Sequence, residues 1–330
     1  MRKVLMGVAV GFQLLVLGFM AGEREWVVLK GRTVYLRTQP VDPRDPFRGD
    51  YVRLDYEVNH VATNAVAADL LARGDRWNRG RKVYAVLSCD EDGFGSVSHL
   101  TGKKPDEGLF LRGRSSFFYS GNPVMAVNYG IEAYFVEQGA GRKIEEGRVR
   151  GDVRVPLDME IAVGHGGIAV LKAHHWCPLG IGLKLENNTN RQVRAAVVTL
   201  VNVSSNDLAV LDPVSSGRLR LEPDSIRNWG GSTWEWVGKD QAMLPPEEGA
   251  VIVLKPGQGT SVQVDLSRPE WFVRKRDAVP QSITGLRDFA GFRFVYQAPE
   301  KAACAGLRNA GLVWHGLLRS QVFTGGGRLD

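Results

Sequence analysis

Residues 4–22 are apolar almost without a break. Leu5, Val8, Phe12, Leu15, Phe19 and Met20 lie in this run, Arg2-Lys3 precedes it, Glu23 follows it, and Gln13 is its polar exception. About twenty such residues cross a bilayer core as a helix, so the run predicts a membrane span. Gly7, Gly11 and Gly18 are tolerated there, and Gly7-x-x-x-Gly11 is a spacing seen where helices pair. Beyond residue 25 the pattern changes to short apolar or alternating runs divided by Gly, Pro and Asn, which predicts strands and turns.

In the first half, residues 26–36 read as an extended hairpin or bent strand around Lys30-Gly31-Arg32-Thr33. Pro40, Pro43 and Pro46 exclude a regular ladder, so residues 39–47 form a rigid loop. A strand follows, with Val52, Leu54, Tyr56 and Val58 on its core face and Tyr51, Arg53, Asp55 and Glu57 on the other. Alanines and leucines at helical spacing predict a short helix within residues 59–74. Strands are expected at 83–88, 96–100 and 108–114. Residues 125–136 read as one long strand with a bulge at Gly130, and 143–146 as a helix-like turn. Further strands at 153–156, 160–163 and 167–171 finish this sheet. In the second half, strand-sized runs lie at 180–186, 194–203, 207–211, 217–221, 250–254, 261–265 and 292–296, with 313–323 as a final strand pair. Many short strands with frequent turns point to a β-sandwich.

The chain is thus expected to be mainly β: an N-terminal transmembrane helix (residues 1–24), a small β-barrel or rolled-sheet domain (25–172) and a β-sandwich (173–330). The expected junction is His174-His175-Trp176-Cys177-Pro178.

Gly49-Asp50-Tyr51-Val52-Arg53-Leu54-Asp55-Tyr56 resembles the signature G-D-Y-x-x-L-x-Y of a family of bacterial membrane-anchored proteins, the GDYXXLXY family, and keeps every fixed letter of it. Residues 129–139, from Tyr129-Gly130-Ile131-Glu132 to Glu137-Gln138-Gly139, look like that family's second recurring block. The resemblance covers the anchor and the first domain. It implies a membrane placement and association with a polytopic membrane partner, but no reaction, because the family has no established activity. Residues 48–52 also bear a weaker similarity to a strand of signal-peptidase folds. The loop before them holds no Ser, so that chemistry is not expected. The second half looks, at the level of pattern, like bacterial immunoglobulin-like accessory domains, through Gly182-Leu183-Lys184-Leu185-Glu186, Leu254-Lys255-Pro256-Gly257 and Phe292-Arg293-Phe294-Val295-Tyr296.

Composition narrows the function. With 330 residues, 44% hydrophobic, the chain is long enough for two cores. The net charge of +6 is mild and the Lys and Arg are scattered, whereas a nucleic-acid binder gathers them with aromatics on one element. Nucleic acid is therefore not an expected partner. Three cysteines, Cys89, Cys177 and Cys304, exclude a complete disulfide framework and leave room for one bridge. Arg2-Lys3 ahead of the span predicts the N-terminus in the cytoplasm and the body outside, and the resemblance then implies a single-pass protein of the bacterial inner membrane with a periplasmic, extracytoplasmic body. Ala21 with Phe19, or Gly22 with Met20, makes a poor cleavage site, so a retained anchor is preferred over a cleaved signal.

Candidate binding residues are Asp42, Arg44, Asp45, Arg48 and Asp50 on the proline loop, with Tyr51, Tyr56, Tyr129, Glu132 and Glu137 from the two recurring blocks. The loop presents carboxylates to a cation, a basic partner or a substrate, or else its Asp–Arg pairs and turns brace the corner. The tyrosines suit strand packing with a hydroxyl handle. Glu132 and Glu137 are five apart, on opposite faces of a strand, which is poor for an acid–base pair. His174-His175 with Cys177 is the most metal-like cluster, but neighbouring strand residues point oppositely, and no metal or other cofactor is expected. Trp229, Trp234 and Trp236 suit either an aromatic platform for a sugar or a packed core. The favoured function is a membrane-anchored extracytoplasmic interaction protein, leaning against an enzyme. The alternatives are a small-ligand or envelope-glycan binding module, or a hydrolase with a cleft between the 42–50 loop and the 129–137 block.

Overall fold

The structure is a computed structural model that describes residues 2–39, 51–71, 80–116, 124–187, 192–224, 234–275, 278–286 and 290–329. It is mainly β, with one N-terminal helix long and apolar enough to cross a membrane. The chain divides into two compact units that are not contiguous in sequence. The first takes residues 1–120, 125–136 and 158–175, the second 121–124, 137–157 and 176–330.

In the first unit, helix α1 (Arg2–Lys30) is apolar on every side over residues 4–22, and that run is exposed throughout. At 1.5 Å per residue it is roughly 43 Å long. Residues 26–30, expected to be extended, form its last turns. Trp and Val prefer strands only weakly, and extending an existing helix adds a hydrogen bond per residue without a new nucleus. Val27 ends the exposed stretch, being 6% accessible. Its carbonyl accepts the Gly31 N–H at 2.8 Å, and β1 (Arg32–Gln39) starts at the next residue. A Cβ on Gly31 would lie 2.4 Å from the Val27 carbonyl oxygen, so glycine is required for the helix to turn into the strand without a linker.

The signature strand is broken into β2 (Tyr51–Arg53) and β3 (Asp55–Tyr56). The expected helix after it is largely replaced by 3-10 turns and β4 (His60–Ala62), leaving α2 (Ala68–Leu71). Then come β5 (Lys82–Cys89), β6 (Gly95–Thr101), β7 (Phe110–Ser115), β8 (Val124–Asn128) and β9 (Ala133–Phe135). The long strand expected over 125–136 is two strands in different sheets, because Gly130 turns the chain at φ +84°. Helix α3 (Ala140–Gly147), β10 (Val149–Arg150) and β11 (Val153–Arg154) belong to the second unit, before β12 (Leu157–Val163) and β13 (Ala169–Trp176) return to the first. The sheets run β13-β12-β1-β3, β4-β8-β7-β5-β6 and β2-β9. The first two join through Tyr35 N–H to Gly93 C=O and Arg112 N–H to Gly167 C=O, giving a rolled, nearly closed barrel. Val34, Leu36, Leu54, Val83, Leu100, Leu111, Met125 and Ile161 are buried in it.

The second unit continues with β14 (Leu179–Asn187), β15 (Val193–Asn202), β16 (Leu208–Leu211), β17 (Leu219–Pro223), β18 (Trp234–Trp236), β19 (Val251–Leu254), β20 (Gly259–Asp265), β21 (Val273–Lys275) and β22 (Gly291–Gln297). Short β23 (Leu317–Arg319) and β24 (Phe323–Thr324) each pair with β22 rather than with each other. One sheet is β10-β11-β14-β15-β20, and β17-β22-β23 forms another. Both feed one core, with Ile181, Leu183, Val198, Leu200 and Val264 from the first and Leu219, Leu221, Phe292, Phe294 and Tyr296 from the second.

Candidate functional site

The two recurring blocks bind each other through their polar groups. In the first unit, the Tyr56 hydroxyl donates to the Ile131 carbonyl at 2.9 Å, and the Tyr129 hydroxyl donates to the Val58 carbonyl at 2.9 Å. Both rings are buried, and burial pushes the Tyr129 phenol far above its ordinary range, so it stays a donor. Glu132 sits at the turn between them. Its carboxylate accepts the N–H groups of Tyr129 and Gly130 and the Asn59 side-chain amide. The Asn59 amide also donates to Val127 C=O at 2.6 Å, and its oxygen accepts the Tyr56 N–H at 2.6 Å. Leu54 N–H closes the set on Glu132 C=O. All of these bonds but that between Asn59 and Glu132 engage a backbone group, so the arrangement is a clasp.

The other candidates lie apart from it. Tyr51 is half-buried and its ring lies tilted against that of the exposed Phe135, ring centres 5.8 Å apart. Glu137 is exposed, and its carbonyl accepts the Ala140 N–H at the start of α3. Asp42, Arg44, Asp45, Arg48 and Asp50 lie outside the described residues, as does Trp229.

A polar cluster not foreseen from the sequence covers one face of β1, β12 and β13. Arg37 holds Asp158 through two bonds of 2.8 and 2.9 Å and lies over the Phe94 ring. Glu160 binds Lys172 and, at 3.2 Å, His175. These bonds, that from Lys172 foremost, hold the Glu160 carboxyl below its usual range. His174 turns away, its Nδ1 3.2 Å from the Tyr134 hydroxyl, and partial burial followed by the charge of His175 lowers its pKa. The two imidazoles thus have separate partners. Positions 33, 35 and 37 face 162, 160 and 158 in register, an alternation visible in the sequence only once the strand pairing is known. Among the described residues no three His, Cys, Asp or Glu side chains stand close enough to hold a metal ion.

In the second unit a cleft of about 820 Å³ is bordered by Glu186, Arg194, Gln263, Asp265, Arg268 and Glu270, with Trp236 and Trp271 in its wall. Trp234 and Trp236 are 9% and 5% accessible and belong to the core. They do not form the exposed platform that a sugar site would need.

An apolar helix running without a linker into a rolled β-barrel, closed by a clasp between two short motifs, defines the class of the N-terminal half. Residues 13–173 match the family model described as GDYXXLXY protein. No curated protein and no solved structure matches the chain.

Proposed function

We propose that the protein is a single-pass, membrane-anchored interaction module whose body lies outside the cytoplasm of a bacterial cell. The observation that carries this reading is α1, whose membrane run is bare of contacts and which ends in the first domain without a linker. A helix exposed and apolar on all sides is satisfied by lipid. Arg2-Lys3 before the run favours a cytoplasmic N-terminus. Gly7, Gly11, Gly18 and Gly22 fall within an arc of about 60° at 100° per residue, and nothing lies within 4 Å of where their Cβ atoms would be. Such a stripe lets a second helix approach closely, which supports a polytopic membrane partner.

A non-enzymatic role is favoured because the carboxylate and hydroxyls of the recurring blocks already serve backbone groups. For residues 173–330 the immunoglobulin-like likeness stands as part of this proposal, supported by two antiparallel sheets over one core.

A C-terminal alkaline phosphatase fusion, active only outside the cytoplasm, is expected to be active, and a fluorescent-protein fusion dark. The reverse pattern would sink the orientation. Replacing residues 4–22 with an unrelated single-span helix is expected to release a stoichiometric membrane partner from detergent extracts. An unchanged complex, or none with the native helix, would remove the helix from the interface.

A further inference from the structure

Strand β20 ends its sheet, with β15 on one side and no described strand on the other. The phase of the ladder shows which groups this leaves bare. Leu266 N–H bonds Arg194 C=O, and Ala195 faces Asp265. Bonded positions alternate along an antiparallel pair, so residues 260, 262 and 264 turn their backbone groups toward β15. Ser261 and Gln263 turn theirs outward, where no described residue receives them. Exposed edges are ordinarily blunted by a lysine, a proline or a bulge. The sequence of β20, Gly-Thr-Ser-Val-Gln-Val-Asp, has neither residue, and its register with β15 is unbroken.

The cleft of the second unit meets the last residues of this strand and extends across the neighbouring ends of β15 and β14 to Ala195 and Glu186. Gln263, Val264 and Asp265 all border it. Consecutive strand side chains point to opposite faces, so a cleft touching all three passes the backbone itself. Its lining carries both charges. Arg268 lies 3.8 Å from both Asp265 and Glu270, and Glu186 accepts the Gln263 amide at 3.0 Å. The Arg194 guanidinium is exposed on the cleft, where its charge acts on the nearby Asp265 carboxylate without a hydrogen bond between the two. A saccharide would need an open indole face. Trp236 offers none, with Trp271 stacked 5.6 Å away on it and the Arg220 guanidinium 5.4 Å from its centre.

We propose that the second unit binds an extended polypeptide segment, which adds a strand to the outer edge of β20 and seats an acidic side chain against Arg194. Main-chain bonds to Ser261 and Gln263 supply affinity, and the charged cleft supplies selection, as in other cases of strand addition. This goes beyond the membrane reading and holds whichever way α1 is oriented.

The test is to pan phage-displayed random dodecapeptides on the full-length protein in detergent micelles and titrate the selected peptides. Enrichment of Asp or Glu among strand-forming residues is expected, with peptide amides protected from hydrogen exchange in the complex. Gln263→Pro removes one outward N–H and spares the β15 ladder, and it is expected to weaken binding about tenfold or more. Arg194→Glu alters an exposed side chain and is expected to do the same, so it decides the matter where the proline variant fails to fold. Undiminished affinity in a folded Arg194→Glu protein overturns the proposal, as does failure of the wild type to enrich any peptide over empty micelles. Saturable binding of an oligosaccharide such as chitotetraose, abolished by Arg194→Glu and not displaced by the peptides, would overturn it too.

Discussion

Glu132 shows how little of a residue's role its type reveals. A carboxylate beside two tyrosines in a recurring block has the look of chemistry, yet its oxygens receive two backbone N–H groups and one amide. Glu132→Ala is expected to destabilise the first unit by about 2–3 kcal/mol, because the buried Tyr129 and Asn59 lose a charged acceptor. Glu132→Gln should cost less, and thermal denaturation in detergent followed by circular dichroism ranks the two. Tyr56→Phe leaves the Ile131 carbonyl without its donor and is expected to cost about 1–2 kcal/mol, whereas Tyr51→Phe should be near neutral. His174 supplies a pH dependence. Its folded pKa lies below the ordinary histidine value because burial disfavours the cation, so the unfolded chain binds the proton more readily. Stability is then complete above about pH 6.5 and declines as the pH falls through that value. Glu160, held low chiefly by Lys172, adds a decline in the same direction at more acid pH. His174→Gln is expected to flatten the upper part of the melting-temperature curve. An unchanged slope between about pH 7 and pH 5 would contradict this.

Elements read well from the sequence wherever a single period ran unopposed. The core-facing set Val52, Leu54, Tyr56 and Val58 is buried as alternation predicts. Strands β14, β15, β20 and β22 fall on runs that alternate or are wholly apolar. The misreadings share a cause, which is that local preference was overruled by a neighbour. Residues 26–30 hold β-forming side chains but follow a helix already nucleated. Residues 125–136 are mostly apolar, yet Gly130 at positive φ and the Glu132 acceptor fold them into a turn. Gly31 carries the element-scale prediction. Gly31→Ala places a methyl 2.4 Å from the Val27 carbonyl and 3.1 Å from that of Val163. The junction must then open, and faster hydrogen exchange in residues 27–33 is the expected sign. Exchange equal to wild type would mean that the turn has slack.

At the scale of the whole molecule, none of the three cysteines is in a disulfide, Cys177 and Cys304 being buried and Cys89 partly so. A thiol reagent should label Cys89 alone in the native protein, and slowly, since burial raises its pKa above the ordinary thiol value. All three should react after denaturation, and mobility on non-reducing gels should match that on reducing gels. The cleft was the least legible feature. Glu186, Arg194, Asp265, Arg268 and Glu270 come from separate strands and a turn, and no spacing along the chain announces that they share a space. The junction at Gly31 has a consequence for how the domain meets its surroundings. A tethered domain on a flexible stalk samples many headings, but here helix and sheet share one frame. One extra residue inserted between Met20 and Val27 would swing the face carrying Arg37 and Glu160 about the helix axis by about 100°. As the anchor proposed above, the helix would act as a compass as well as a tether, because a second helix packed on its glycine stripe would always meet the same side of the barrel.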